Sequence, residues 1–132
     1  SMTAVVGTIE YMAPEVLLDV SGRVDYGPAI DVFSTGIILW QLVTSQTPYQ
    51  HEQLSCFMLL HRIAKEGLRP VVPTWVPTPL GALMHESWAE SEHHRPTATE
   101  LVRRLRTIED VEPEIAVAAP TLSVPIARIS LS

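Results

Sequence analysis

A mainly α-helical fold, with a loop at its N-terminal end and an extended tail at its C-terminal end, is predicted by three features of this 132-residue chain. Residues 29–43 form an apolar run with hydrophobic side chains on every helical face. Residues 53–66, 80–88 and 101–108 carry apolar residues at helical spacing. Proline and hydroxyl residues stand where helices begin, at Pro14, Pro28, Thr78-Pro79 and Thr97. With 46% hydrophobic residues the chain has enough apolar surface for a core, and its length allows at most one domain.

Residues 1–12 contain Gly7, small residues and no sustained period, which predicts an extended loop. Pro14, whose fixed φ and missing N–H suit a first helical position, predicts a short helix to about Leu18. A polar connection covers 19–27, and the central helix starts at Pro28 and runs through AIDVFSTGIILWQLVT. A helix apolar all round has to be surrounded by other elements. After a turn at Thr47-Pro48, residues 53–66 predict an amphipathic helix built on Leu54, Phe57, Met58, Leu60, Ile63 and Ala64, stopped by Gly67.

Three prolines and Trp75 make 69–77 a rigid extended loop. Thr78 as N-cap and Pro79 in the first turn then open a helix with Leu80, Leu83, Met84 and Trp88 on one face. The capping-box pattern Thr97-Ala98-Thr99-Glu100 precedes a last helix with Leu101, Val102, Leu105 and Ile108 inward. Residues 1–108 read as the folded part and 109–132, rich in proline and small residues, as the tail.

Composition narrows the partners. A formal net charge of -6 argues against nucleic acid, whose phosphates reward lysine and arginine. The apolar run 29–43 is interrupted by Asp31 and Gln41 and is shorter than the roughly 20 residues a bilayer requires. One cysteine, Cys56, cannot close an internal disulfide, and no charged segment followed by an apolar one opens the sequence. These features predict a reducing, intracellular and cytoplasmic setting, with no membrane contact.

Three separated pieces carry the functional signal: GTIEYMAPE at 7–15, DVFSTG at 31–36 and HRP at 94–96. In this order and spacing they resemble the C-terminal helical lobe of a eukaryotic protein kinase domain, over roughly residues 3–108. GIILWQLVTSQTPY, GLRPVVPTWVP, Trp88 and RPTATELVRRL are most similar to the tyrosine-kinase-like group of serine/threonine kinases.

The resemblance implies roles. The 7–15 stretch would end the activation segment and form the shelf for a protein substrate. Gly7 and Thr8 would lie beside the substrate hydroxyl, and Tyr11 with Met12 would line the floor. Glu15 and Arg95 would form the family's buried ion pair, a guanidinium fork matching a carboxylate. Asp31 would hold the catalytic loop through backbone hydrogen bonds, and Phe33 replaces the family's usual tryptophan or tyrosine. Ser1 and Thr3 fall where related kinases are phosphorylated, although Ser1-Met2 also reads as an arbitrary start of the sequence.

Phosphoryl transfer in this family needs a glycine-rich loop, a strand lysine paired to a glutamate, an H-R-D aspartate, and an asparagine and D-F-G aspartate for magnesium. These motifs are missing here, so ATP and magnesium are expected only of an intact parent kinase and this chain by itself is expected to be inert. The central helix then needs cover from the missing N-terminal half, from a second copy, or from the tail through Ile115, Val117, Leu122, Val124, Ile126 and Ile129. A non-catalytic interaction module that docks a partner on the shelf and helix 53–66 is the alternative.

Other conspicuous residues read as structural. His93-His94 beside Glu92 have no third partner at metal-ligand spacing, so no metal site is predicted. Cys56 reads as a core or groove residue, the tryptophans as packing anchors, and Arg103, Arg104 and Arg106 as a solvated helix face.

Overall fold

A computed structural model describes residues 9–22 and 26–108. Ser1, Thr3, Gly7, Thr8 and the 109–132 tail lie outside the described residues. Among those described are five α-helices: α1 (Pro14–Leu17), α2 (Ala29–Thr44), α3 (Cys56–Lys65), α4 (Thr78–Ser87) and α5 (Ala98–Ile108). Single 3-10 turns occupy Ile9–Tyr11, Gln50–Glu52 and Glu92–His94, the first of them inside the predicted N-terminal loop. The described residues contain no strand, and no helix is long and apolar enough to cross a membrane.

Local chemistry sets the ends of these helices, and it corrects several expectations. Pro14 takes the first position of α1. Ser45, left-handed at φ 57°, ends α2 while its N–H returns to Gln41 O at 2.8 Å. The predicted helix 53–66 begins later, at Cys56, because Gln53 is left-handed (φ 49°) and breaks the turn before it. Ser55 then caps α3, its hydroxyl accepting the Met58 N–H at 3.2 Å. Gly67, at φ 71°, lets the chain reverse after α3, and the Leu68 N–H bonds Arg62 O at 2.9 Å.

For α4 the N-cap is Pro77, with Thr78 already helical, so no hydroxyl caps this helix. Half of the predicted capping box forms at α5: Thr97 Oγ1 accepts the Glu100 N–H at 3.1 Å. The Glu100 carboxylate instead takes Arg103, at 2.7 and 3.0 Å.

The core sits between α2 and α4. Val32, Phe33, Ile37 and Trp40 from α2 meet Leu80, Leu83 and Met84 from α4, with Trp88 just beyond it, and Leu101 and Ile108 of α5 close one side. Each fully buried Ile37, Leu83 or Met84 side chain contributes about 1.5–3 kcal/mol of transfer free energy. Trp40 does more than pack: its Nε1–H donates to Val71 O at 2.8 Å and fixes the proline-rich 69–77 loop against α2. Arg104 and Glu86 form a two-point ion pair, at 2.8 and 2.9 Å, that fastens α5 onto α4, so the arginine cluster is only partly a solvated face.

Three of the apolar residues that mark the predicted helices are exposed. Phe57 is 77% exposed and Met58 is exposed, because α3 rests on Ile63 and Ala64 alone as fully buried residues. Val102 is likewise exposed on α5.

Where α2 crosses α4, Gly36 is needed because a Cβ there would lie 2.8 Å from Ser87 Cβ. Gly36→Ala is expected to push the helices apart and cost about 1–3 kcal/mol, despite the helix propensity of alanine. At Gly81 a Cβ meets only Val72 Cγ1, at 3.5 Å, so Gly81→Ala is expected to be neutral or stabilising by up to about 1 kcal/mol. Urea unfolding of the two variants side by side checks the contrast.

Candidate functional site

Residues 9–12 are held on α2 from two directions. Ile9 is buried, and the turn it begins closes with the Met12 N–H on Ile9 O at 3.1 Å. Ser34 Oγ donates to Tyr11 O at 2.6 Å, and the Tyr11 hydroxyl donates to Gln41 Oε1 at 2.7 Å. Ser34 and Gln41 are two helical turns apart, so Tyr11 lies along the helix, backbone on one turn and phenol on the other. Burial, then the neighbouring Glu10 charge, push the Tyr11 phenol above its ordinary value, against the opposing bond from Gln41. Met12 is half-buried beside it.

The next link is Glu15 on α1. Arg95 Nη1 reaches Glu15 Oε2 at 2.7 Å and Nη2 reaches Oε1 at 2.9 Å, two parallel bonds across 80 residues of sequence. The Arg95 side chain is 0% exposed, and that of Glu15 is 27% exposed. Three carbonyls absorb the other donors: Ala89 O at 2.9 Å, Ala29 O at 3.2 Å and Glu90 O at 3.2 Å. One guanidinium thereby joins α1, the start of α2 and the loop between α4 and α5.

Burial pushes the Glu15 carboxyl up, but the hydrogen bonds and charge of Arg95, with Arg69 beyond, outweigh it and leave the group below its ordinary value of 4.5. A depressed carboxyl contributes stability that is complete above the unfolded value and disappears as pH falls through the folded one. Acid titration of the folded fraction is therefore expected to show a loss below about pH 4.5 that Glu15→Gln diminishes.

A second, half-buried cation, Arg69, was not legible as a site residue. Arg69 Nε donates to Trp88 O at 2.8 Å, and its Nη1 to Leu68 O at 2.8 Å and Ile63 O at 3.2 Å. Its guanidinium carbon stands 5.0 Å from the Phe33 ring centroid, and that of Arg95 stands 5.1 Å away. Phe33 is fully buried, and its quadrupole faces both cations. The available signal was that Arg69 is the only charged residue in the uncharged stretch 68–76.

Asp31 sits apart from this cluster. It is exposed in the first turn of α2, and its carboxylate makes no hydrogen bond or ion pair among the described residues. Asp19 is tied locally: its Oδ1 accepts from the Ser21 hydroxyl at 2.7 Å and the Ser21 N–H at 3.0 Å, and Tyr26 donates its hydroxyl to Oδ2. The Tyr26 bond, first, and those from Ser21 hold Asp19 down at about 2, and the same Asp19–Tyr26 bond, then burial and the Asp19 charge, push Tyr26 up to about 12.

Beside the Ile9–Tyr11 turn a cleft of about 300 Å³ is lined by Ile9, Glu10, Pro48, Tyr49, Leu54 and Leu59, with Cys56 also in its wall. Burial raises the Glu10 carboxyl and the Tyr49 phenol alike.

No set of side chains among the described residues fits ATP with magnesium. Lys65, the sole lysine, is exposed at the end of α3, and no group of three His, Cys, Asp or Glu residues gathers among the described residues. His93 Nε2 lies 3.9 Å from Glu92 Oε1.

A sequence model of the protein kinase domain matches residues 1–105. The chain is 39% identical over 104 residues to the probable serine/threonine-protein kinase drkC of Dictyostelium discoideum, covering 78% of this chain and 13% of that one. It is 34% identical to serine/threonine-protein kinase STY46 of Arabidopsis thaliana over 107 residues, which is 81% of this chain and 18% of that one. Over 103 residues it is 31% identical to mitogen-activated protein kinase kinase kinase 11 of Homo sapiens, 78% of this chain and 12% of that one. The chain thus spans less than a fifth of the length of each of these relatives. The ordered motifs, the helical architecture and the matched family model agree: this chain belongs to the protein kinase domain family.

Proposed function

We propose that the chain is the substrate shelf and helical scaffold of a serine/threonine kinase of the tyrosine-kinase-like group, whose intact form transfers the γ-phosphate of ATP to protein hydroxyls. The supporting observation is the buried Arg95 fork closed on Glu15, which ties segment 11–15 to the helical body. In this reading Gly7 and Thr8 lie beside the substrate hydroxyl, and Tyr11 with Met12 forms the floor. Asp31 anchors the catalytic loop, with Ser1 and Thr3 as phosphorylation sites.

ATP and magnesium belong to an upstream half, in a cytoplasmic parent, and this chain alone transfers no phosphate. The chain's own part is mechanical. Tyr11 is fixed to two turns of α2 and Glu15 to Arg95, so a peptide laid on this segment meets a surface that does not reorganise during the reaction.

Fusing the chain behind the upstream half of a related serine/threonine kinase tests this. The fusion is expected to phosphorylate serine or threonine in a peptide library, and the unfused chain to show no magnesium- and ATP-dependent thermal shift. A folded fusion that binds ATP yet transfers nothing would overturn it.

One observation favours a second reading, a non-catalytic interaction module. Phe57, 77% exposed, and Met58 lie on the outer face of α3, where a partner would dock. Capture of a partner that Phe57→Glu abolishes, joined to an inactive fusion, selects it.

A further inference from the structure

Neither the Arg95 clamp nor the core uses the cleft of about 300 Å³ beside the Ile9–Tyr11 turn. Ile9, Pro48, Leu54 and Leu59 give it apolar walls, and Glu10 is the only charged residue of its lining. Half-buried Glu10 makes no hydrogen bond or ion pair among the described residues. Burial raises its carboxyl, and no cation offsets the loss of water. The cations of the neighbouring segments are taken. Arg62 of α3 lies 3.7 Å from Glu52 and 3.5 Å from Glu66, and Arg69 is spent on the carbonyls of Ile63, Leu68 and Trp88.

The wall supplied by segment 47–59 is built on costly backbone. Tyr49 (φ 61°) and Gln53 (φ 49°) both line the cleft and are both left-handed, a conformation rare for side chains of this bulk. The Tyr49 hydroxyl is buried with no hydrogen-bond partner among the described residues. Residues kept in such states gather at ligand clamps, where surrounding structure imposes a shape that local preference would not choose. The other wall is the turn fixed on α2 through Tyr11. Two held segments thus form the cleft before any guest arrives.

A guest for this cleft needs an apolar stem to lie along the walls and a positive head for Glu10. Arginine has both, and its planar fork can close two N–H bonds on one carboxylate. The formal net charge of -6 favours the approach of a cationic peptide as well. We propose that the cleft is a specificity subsite for a substrate peptide: it takes one arginine, the stem against Ile9, Pro48, Leu54 and Leu59 and the guanidinium on the Glu10 carboxylate. That the peptide is a phosphorylation substrate rests on the kinase reading; that the cleft takes a cationic side chain does not.

Amide shifts of the isotope-labelled full chain, titrated with an alanine peptide carrying one arginine, test it. Shifts are expected at residues 9–10 and 49–59, and neither an all-alanine peptide nor the Glu10→Gln variant is expected to give them. Glutamine keeps the size of the side chain, so its effect reports charge. Shifts only elsewhere, or equal shifts from a peptide with leucine in place of arginine, overturn the proposal. In the fusion with an upstream kinase half, arginine at one fixed position from the phosphorylated residue is expected to raise kcat/KM about tenfold over alanine there. Glu10→Lys is expected to turn that preference toward glutamate at the same position. An active fusion with no positional preference overturns the subsite and keeps the kinase reading. An inactive fusion, with arginine-dependent shifts in the unfused chain, keeps the cleft and overturns the kinase reading.

Discussion

Replacing Arg95 by alanine is expected to destabilise the fold by about 3–5 kcal/mol, lowering the thermal midpoint by about 15 °C or more. The size follows from what the side chain holds. Its five hydrogen bonds satisfy Glu15 and the carbonyls of Ala29, Ala89 and Glu90, which come from three separate parts of the chain. Alanine leaves these acceptors converging on an empty space and removes a cation from the Phe33 ring.

Glu15→Ala is expected to cost about 3 kcal/mol, since a guanidinium with 0% exposure keeps only its carbonyl partners. Exchanging the two residues is not expected to rescue either variant. A carboxylate at position 95 would face three carbonyl oxygens, all acceptors, and would be repelled where arginine is held. Arg95→Lys retains the charge but reduces the fork to one ammonium, and an intermediate loss is expected. Chemical denaturation of the four variants checks the order, and a loss below about 1 kcal/mol for Arg95→Ala would remove the clamp from the determinants of the fold.

The sequence made some of this legible, and the reasons differ by residue. Glu15 and Arg95 could be paired across 80 positions because both lie in local motifs that a family resemblance reads together. The inward face of α4 followed from spacing alone, and Leu80, Leu83, Met84 and Trp88 are all buried. Helix starts were less legible. Gln53 is left-handed, a conformation that its side chain gives no reason to expect, and the helix begins three residues past it. Thr78 offered a hydroxyl, yet the chain enters α4 through extended Pro77.

Periodicity also failed where a face is apolar but left unused. Phe57 and Met58 fit the pattern of α3, and their exposure depends on which neighbouring elements reach that helix, a tertiary fact that spacing cannot carry. Arg69 was missed for the opposite reason. Its partners are backbone carbonyls and a phenylalanine ring, neither of which leaves a complementary charge in the sequence to find.

Phe33 is the residue on which these two cations depend, and its truncation to alanine is expected to cost about 3–5 kcal/mol, comparable to the loss of Arg95. Part of that cost is the cavity left by a fully buried ring between α2 and α4. The rest is electrostatic, and Phe33→Leu separates the two. Leucine retains much of the apolar volume, so packing alone predicts a loss below about 1.5 kcal/mol.

Removing the ring also withdraws its negative face from guanidinium carbons at 5.0 and 5.1 Å, worth about 0.5–2 kcal/mol for each cation. Burial pulls the Arg69 guanidinium down and the nearby Arg95 charge adds to that, while Tyr49, Glu90 and Glu15 oppose it, and the ring face acts beside these groups in holding two close cations. Phe33→Leu is therefore expected to lose about 2–4 kcal/mol, more than volume explains. A double-mutant cycle with Arg69→Met is expected to show coupling of about 0.5–2 kcal/mol, and a coupling indistinguishable from zero would mean that Phe33 serves only as filler. Tryptophan has the stronger face for a cation but exceeds the space of a side chain with no exposure, so Phe33→Trp is expected to lose about 1–3 kcal/mol by overpacking. Phenylalanine is thus the aromatic residue that lets α2 close on α4 while both guanidiniums keep a face to rest on.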